Sequence, residues 1–234
     1  MPLIHRCPKC NARFNPPRPE VSECPQCGIW FHKWGREAHV ERASDPEGIS
    51  PEKDPEGIDP ASFYGRLLAL VFLAAWGFQL VAMDYRTGEL GHSFMHNILL
   101  PIHEAGHVLF MPFGEFLTIL GGSLFQLALP MGIGAAFFFR QNDAFGAAVC
   151  LWWTGVSLLD LAPYIYDALQ PQLILLGGHT GEDGPHDWIY LLGRLGAIPQ
   201  AHGWGTAAHH LGMITLLAGL AWGGATLWRV RPEA

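Results

Sequence analysis

From residue 63 onward the chain passes through five apolar runs, each close to the length that crosses a bilayer: about 63–83, 92–113, 115–139, 144–167 and 206–228. A helix needs about 20 apolar residues to span roughly 30 Å of hydrocarbon. No water is present there to satisfy backbone N–H and C=O groups, so a lipid-facing segment must pair them within itself. Runs of this length leave the α-helix as the only economical solution. The expected fold is therefore an all-α polytopic membrane protein of about five transmembrane helices. Only 15% of the residues are charged, against the roughly 25% usual for soluble domains.

The charges are concentrated ahead of the apolar body. Eight of the 14 Lys and Arg residues precede residue 60. Four domains follow: a cysteine-rich head at 1–36, a linker at 37–62, the transmembrane domain at 63–228 and a tail at 229–234. The linker repeats DPEGI at 45–49 and 54–58 and carries prolines at 46, 51, 55 and 60. It holds too little apolar surface to order itself and reads as an extended, flexible tether. The basic head places the N-terminus in the cytosol and the chain in an inner or cytoplasmic membrane. Five spans would leave Arg229 and Arg231 outside, so either the tail departs from that trend or the count of spans is off, first of all at 188–198 (WIYLLGRLGAI), which also reads as a re-entrant or interfacial helix. A net charge of −7 argues against nucleic acid as a partner. The lipid bilayer is the partner that composition implies.

The second run contains His-Glu-Ala-Gly-His at 103–107. On a helix, residues four apart lie on one face, so His103 and His107 can share one tetrahedral zinc ion. Such an ion lowers the pKa of water to about 7, and Glu104 stands beside the pair to take a proton from that water. Two histidines and a glutamate are costly inside an apolar span, which makes function the default reading. His92 and His96 share the same helical face and read as interfacial residues. A hydrolytic zinc site needs a third protein ligand and one open position. The fourth run offers Asp160 and Asp167. At 1.5 Å per residue, the histidine pair lies about 10 Å from the inner end of its helix, Asp160 about 12 Å from the inner end of its own, and Asp167 at the rim. Depth therefore favours Asp160, with Asp167 the alternative. In the loop that follows, His186 is a further candidate ligand.

These three runs, about a third of the chain, resemble the site-2 protease family of intramembrane zinc metalloproteases. That family carries HExxH on the first of three core helices, matched here by His103, Glu104 and His107. Its middle helix has a glycine-containing motif ending in asparagine; GGSLFQ at 121–126 occupies that place, with Gln126 as the last residue. Its last helix carries an asparagine or aspartate, a proline three residues on, and a Leu-Asp-Gly ligand motif. DLAPYIYDA at 160–168 supplies Asp160, Pro163 and Asp167, the last one residue early, after Tyr and before Ala. The resemblance implies cleavage of a membrane-associated protein substrate, with Glu104 as general base and Gln126 holding an unfolded substrate strand. The imperfect third motif also fits an inactive protease-like scaffold, and the histidine face of the second run fits a metal-handling membrane protein.

The head contains Cys-Pro-Lys-Cys at 7–10 and Cys-Pro-Gln-Cys-Gly at 24–28. Two such pairs at this separation form a four-cysteine zinc site, and the head resembles a zinc ribbon. Cys7, Cys10, Cys24 and Cys27 would close the tetrahedron, so this second zinc is structural. A head this small has too little apolar core to fold without the metal. Trp30, Phe31 and Trp34 pack on the ribbon or dock a protein partner. Cys150 stands alone in the fourth run as a small buried apolar residue.

Overall fold

A computed structural model describes residues 3–19, 22–33 and 58–232, which fall into two compact units dividing after Asp54. The repeated linker lies outside the described residues as far as residue 57, as does Trp34.

The N-terminal unit is a hairpin of β1 (Leu3–Arg6) and β2 (Arg13–Pro19), antiparallel, with Ile4 facing Arg18. A small core of Ile4, Cys7, Cys24 and Phe31 lies behind it. Phe31 packs inward, whereas Trp30 stays exposed.

The C-terminal unit is helical. α1 (Pro60–Ala82) opens with proline in its first turn and with the Asp59 carboxylate accepting the Ser62 N–H at 3.0 Å. α2 (Phe94–Phe110) is capped by the Ser93 hydroxyl, which accepts the His96 N–H at 3.1 Å. α3 (Glu115–Arg140) follows Gly114, whose φ of +94° suits glycine. Glu115 in its first turn and Arg140 in its last complement the helix dipole. α4 (Ala144–Asp167) is capped by Asp143. The short α5 (Asp187–Arg194) falls within the segment expected to be re-entrant or interfacial, and α6 (Ala201–Arg229) closes the chain.

Among the described residues, four segments are long and apolar enough to cross a membrane: Pro60–Ala82, Glu115–Arg140, Ala144–Asp167 and Ile198–Arg229. They mark an integral membrane protein. The segment expected as the second span is shorter than its apolar run. α2 has 17 residues, the lower limit for a span, because the Ser93 cap and the turn at Met111 fix its ends. Pro101 is accommodated inside it.

α4 is the central helix and the most buried of the four long segments. It lies against α6 along a seam of small residues: a Cβ placed on Gly212 would come within 2.8 Å of the Gly155 carbonyl oxygen. α2 lies as closely on α3, where a Cβ on Gly121 would come within 2.7 Å of the Gly106 carbonyl oxygen. Membrane helices gain no hydrophobic driving force from one another, so close backbone approach through small residues is what holds them. Leu68, Val71, Phe72 and Phe78 of α1 point outward, as lipid-facing side chains should. Cys150 is buried in α4 as expected.

Candidate metal centres

The close approach of α2 and α3 sets the helical site. His103 and His107 project from one face of α2 with ring centroids 4.9 Å apart. His103 Nδ1 lies 2.9 Å from Gln126 Oε1 on α3, and His107 Nδ1 lies 2.9 Å from the Thr118 carbonyl oxygen. A carbonyl oxygen only accepts, so each Nδ1 carries a proton and donates it. Each Nε2 is then left with its lone pair for a cation.

Both Nε2 atoms point at one carboxylate oxygen, Asp187 Oδ2, at 2.9 Å from His103 and 3.2 Å from His107. The three ligand atoms lie within 4.8 Å of one another. Electron pairs converging in this way need a positive charge between them, either protons or a metal ion. Without metal, burial alone would raise the Asp187 carboxyl, but hydrogen bonds from the two imidazoles reverse this and hold it down at about 2. Two imidazoles and one carboxylate are a donor set that could hold a metal ion.

The group that could hold a metal ion thus joins Asp187, and no residue of α4, to the two histidines. Asp160 is occupied elsewhere: its Oδ1 accepts from His96 Nδ1 at 2.9 Å and its Oδ2 from Gln126 Nε2 at 2.9 Å. Asp167 caps the turn after α4, Oδ1 accepting the N–H groups of Gln172 and Leu173 at 2.7 and 3.1 Å. His186 too lies outside that group. Its Nδ1 caps α5 by accepting the Ile189 N–H at 3.3 Å, and its Nε2 lies 3.3 Å from Asp167 Oδ2. Gln126, expected to hold substrate, is 1% exposed and spends its amide between His103 and Asp160. His96 likewise is not merely interfacial, since it pairs with Asp160.

Asp187 is positioned by the start of α5. Its N–H donates to the Tyr164 hydroxyl oxygen at 2.9 Å, and the Tyr164 ring lies between His103 and His186. The site opens on a cavity of about 750 Å3 lined by Glu104, both motif histidines, His92, Tyr164 and the loop around Leu173–Leu176. Glu104 therefore shares one cavity with the three converging ligands.

Gly122 on α3 faces the same point. A Cβ there would fall 2.5 Å from His103 Nε2 and 2.6 Å from His107 Nε2, in the space an ion would take. Gly→Ala inside a helix ordinarily stabilises by about 0.5–1 kcal/mol. Gly122→Ala is instead expected to abolish metal binding at this site and leave the ribbon's ion in place, read as metal per chain by elemental analysis.

The second site is the cysteine head. Two matching knuckles build it. Cys7 N–H donates to the Ala12 carbonyl at 2.8 Å and Asn11 N–H to the Cys7 carbonyl at 3.0 Å; Cys24 with Ile29, and Gly28 with Cys24, repeat this at 2.8 and 2.9 Å. Each knuckle ends in a left-handed residue, Asn11 at φ 62° and Gly28 at φ 72°. The sulfurs of Cys7 and Cys27 lie 3.6 Å apart and those of Cys10 and Cys24 3.7 Å apart. A disulfide needs about 2.05 Å, whereas a tetrahedron with metal–sulfur bonds of about 2.3 Å has edges of about 3.8 Å. The thiols are also unequal. Desolvation opposes ionisation of Cys24, yet N–H groups of Gln26 and Cys27 draw it down to about 7; desolvation and the neighbouring thiols push Cys27 up to about 12.

Fold and sites together define an integral membrane protein with, among the described residues, two groups of side chains that could each hold a metal ion. Comparison of the chain with protein-family models, curated proteins and solved structures finds no match.

Proposed function

We propose that the chain is an intramembrane zinc metalloendopeptidase of the inner or cytoplasmic membrane, with its zinc-ribbon head in the cytosol. The observation that supports this is the convergence of His103, His107 and Asp187 on one point in the cavity that Glu104 also lines. Zinc held by those three residues would supply Lewis acidity, polarising a peptide carbonyl and making water a nucleophile near neutral pH.

The chain's own residues do the rest. Glu104 is the proton carrier: its carboxylate takes a proton from the attacking water and returns it to the departing amide nitrogen. Tyr164 keeps Asp187 turned toward the histidines through the Asp187 N–H. A membrane-protein substrate would meet these residues in the cavity on which the site opens.

The test is cleavage of a transmembrane reporter in proteoliposomes. Glu104→Gln is expected to lower the rate by about 10²–10⁴-fold, the usual worth of a positioned general base, with metal content unchanged. A second reading is favoured by His92 and His96, which carry imidazoles along the same cavity: a membrane protein that handles metal ions. In that case zinc transport survives Glu104→Gln and no reporter is cut.

A further inference from the structure

The two motif histidines are held from behind in different ways. His107 donates Nδ1–H to a backbone carbonyl, that of Thr118, which offers no alternative donor. His103 donates to the side-chain amide of Gln126, which could be turned over, offering its NH2 in place of its oxygen. Something must fix that amide, and on its far side stands Asp160, whose side chain is 8% exposed.

We infer that Asp160 is a positioning residue for the helical metal centre, acting through Gln126 to hold His103 in the tautomer that leaves Nε2 open to the cation. An ionised carboxylate only accepts hydrogen bonds. Asp160 Oδ2 therefore draws the NH2 of Gln126 toward itself, at 2.9 Å. This leaves Gln126 Oε1 facing His103, so the imidazole proton sits on Nδ1. Turning the amide over would set its oxygen against the carboxylate. His96 occupies the other oxygen of Asp160 at 2.9 Å and brings the partner a buried carboxylate needs. The result is a directed line, His96–Asp160–Gln126–His103, whose direction is imposed by one negative charge two links from His103.

The charge, rather than the shape, is then what matters. In Asp160→Asn the size is kept, but the new amide can donate to Gln126 Oε1. The Gln126 NH2 would then donate to His103 Nδ1 and move the imidazole proton to Nε2, where the cation belongs. The inference rests on the metal-centre part of the proposal above and not on its hydrolytic part.

The test uses the full chain in detergent with Co2+ alone as probe, titrated against a chelator. The ribbon's four thiolates give sulfur-to-cobalt charge-transfer bands that the histidine–aspartate site lacks, so the two sites are read separately. Asp160→Asn is expected to weaken cobalt binding at the helical site by about 10–100-fold, the usual cost of losing a partner behind a ligand. Ribbon binding should not move. Adding Gln126→Glu restores a carboxylate one link nearer His103, and binding is expected to return toward the wild-type value. Wild-type affinity in Asp160→Asn, or a loss that persists in the double variant, would overturn the assignment. Should Asp160→Asn not fold, 15N spectra of histidine-labelled, zinc-loaded wild type decide it: a proton on His103 Nδ1 supports the line, and coordination through Nδ1 refutes it. Cleavage is not measured, so a chain that binds metal without hydrolysing anything leaves this result standing.

Discussion

Asp187→Ala is expected to reduce the metal content of the purified chain from two ions to one, with the cysteine head keeping its ion. Two neutral imidazoles would remain at the helical site with no anion between them. A divalent cation in a site walled by apolar helices depends on that anion, because solvent there does little to compensate its charge. The loss should exceed the about 10–100-fold that removal of an outer partner costs. Asp167→Asn is the control. Its carboxylate serves the turn at Gln172 and Leu173 and makes no contact with either motif histidine, so two ions should stay bound. Elemental analysis of both variants in detergent decides the matter. Two ions in Asp187→Ala together with one in Asp167→Asn would return the third ligand to α4 and remove the basis for the site described above.

The sequence made the motif pair readable because the pairing is local. Four residues on a helix fix the geometry of His103 and His107 whatever surrounds them. Asp187 lies 84 residues beyond His103, and only the folding of the loop after α4 brings it back. No periodicity encodes that return. The nearest local signal is the His-Asp pair at 186–187 opening the short α5, where an acidic residue in the first turn suits the helix dipole. Depth along the helices ranks Asp160 above Asp167 and does not reach the loop. Asp160 does lie near His103, one glutamine away. Depth measures position along a helix and says nothing about which groups fill the space between two helices. Gln126 shows the same limit. Its place in the α3 motif was legible, but its partners lie on α2 and α4. α2 is shorter than the apolar run that contains it because apolar flanking residues extend the run past the Ser93 cap and the turn at Met111.

Removing metal from the head is expected to unfold it entirely while leaving the helices intact. The core behind the β1–β2 hairpin consists of Ile4, Cys7, Cys24 and Phe31, so two of its four buried members are themselves candidate ligands. A two-stranded hairpin on so little apolar surface is marginal at best in water. The first knuckle continues the hairpin and is closed by the Cys7–Ala12 hydrogen bond, the second is closed by Cys24–Ile29, and an ion that draws the four sulfurs together orders both at once. Cys24→Ser should therefore behave like chelation, because it removes the most acidic of the thiols with resolved shifts and one quarter of the core together. The expected outcome is loss of amide-exchange protection across residues 3–33 with α1–α6 unchanged, and one ion per chain instead of two. The two sites would then fail independently: the Cys24 variant keeps the ion held by His103, His107 and Asp187, and the Asp187 variant keeps the ion held by the four cysteines. Protection of the hairpin that survives chelation would mean that its strands are held by packing after all, and the head would be a fold that binds metal rather than one that metal makes.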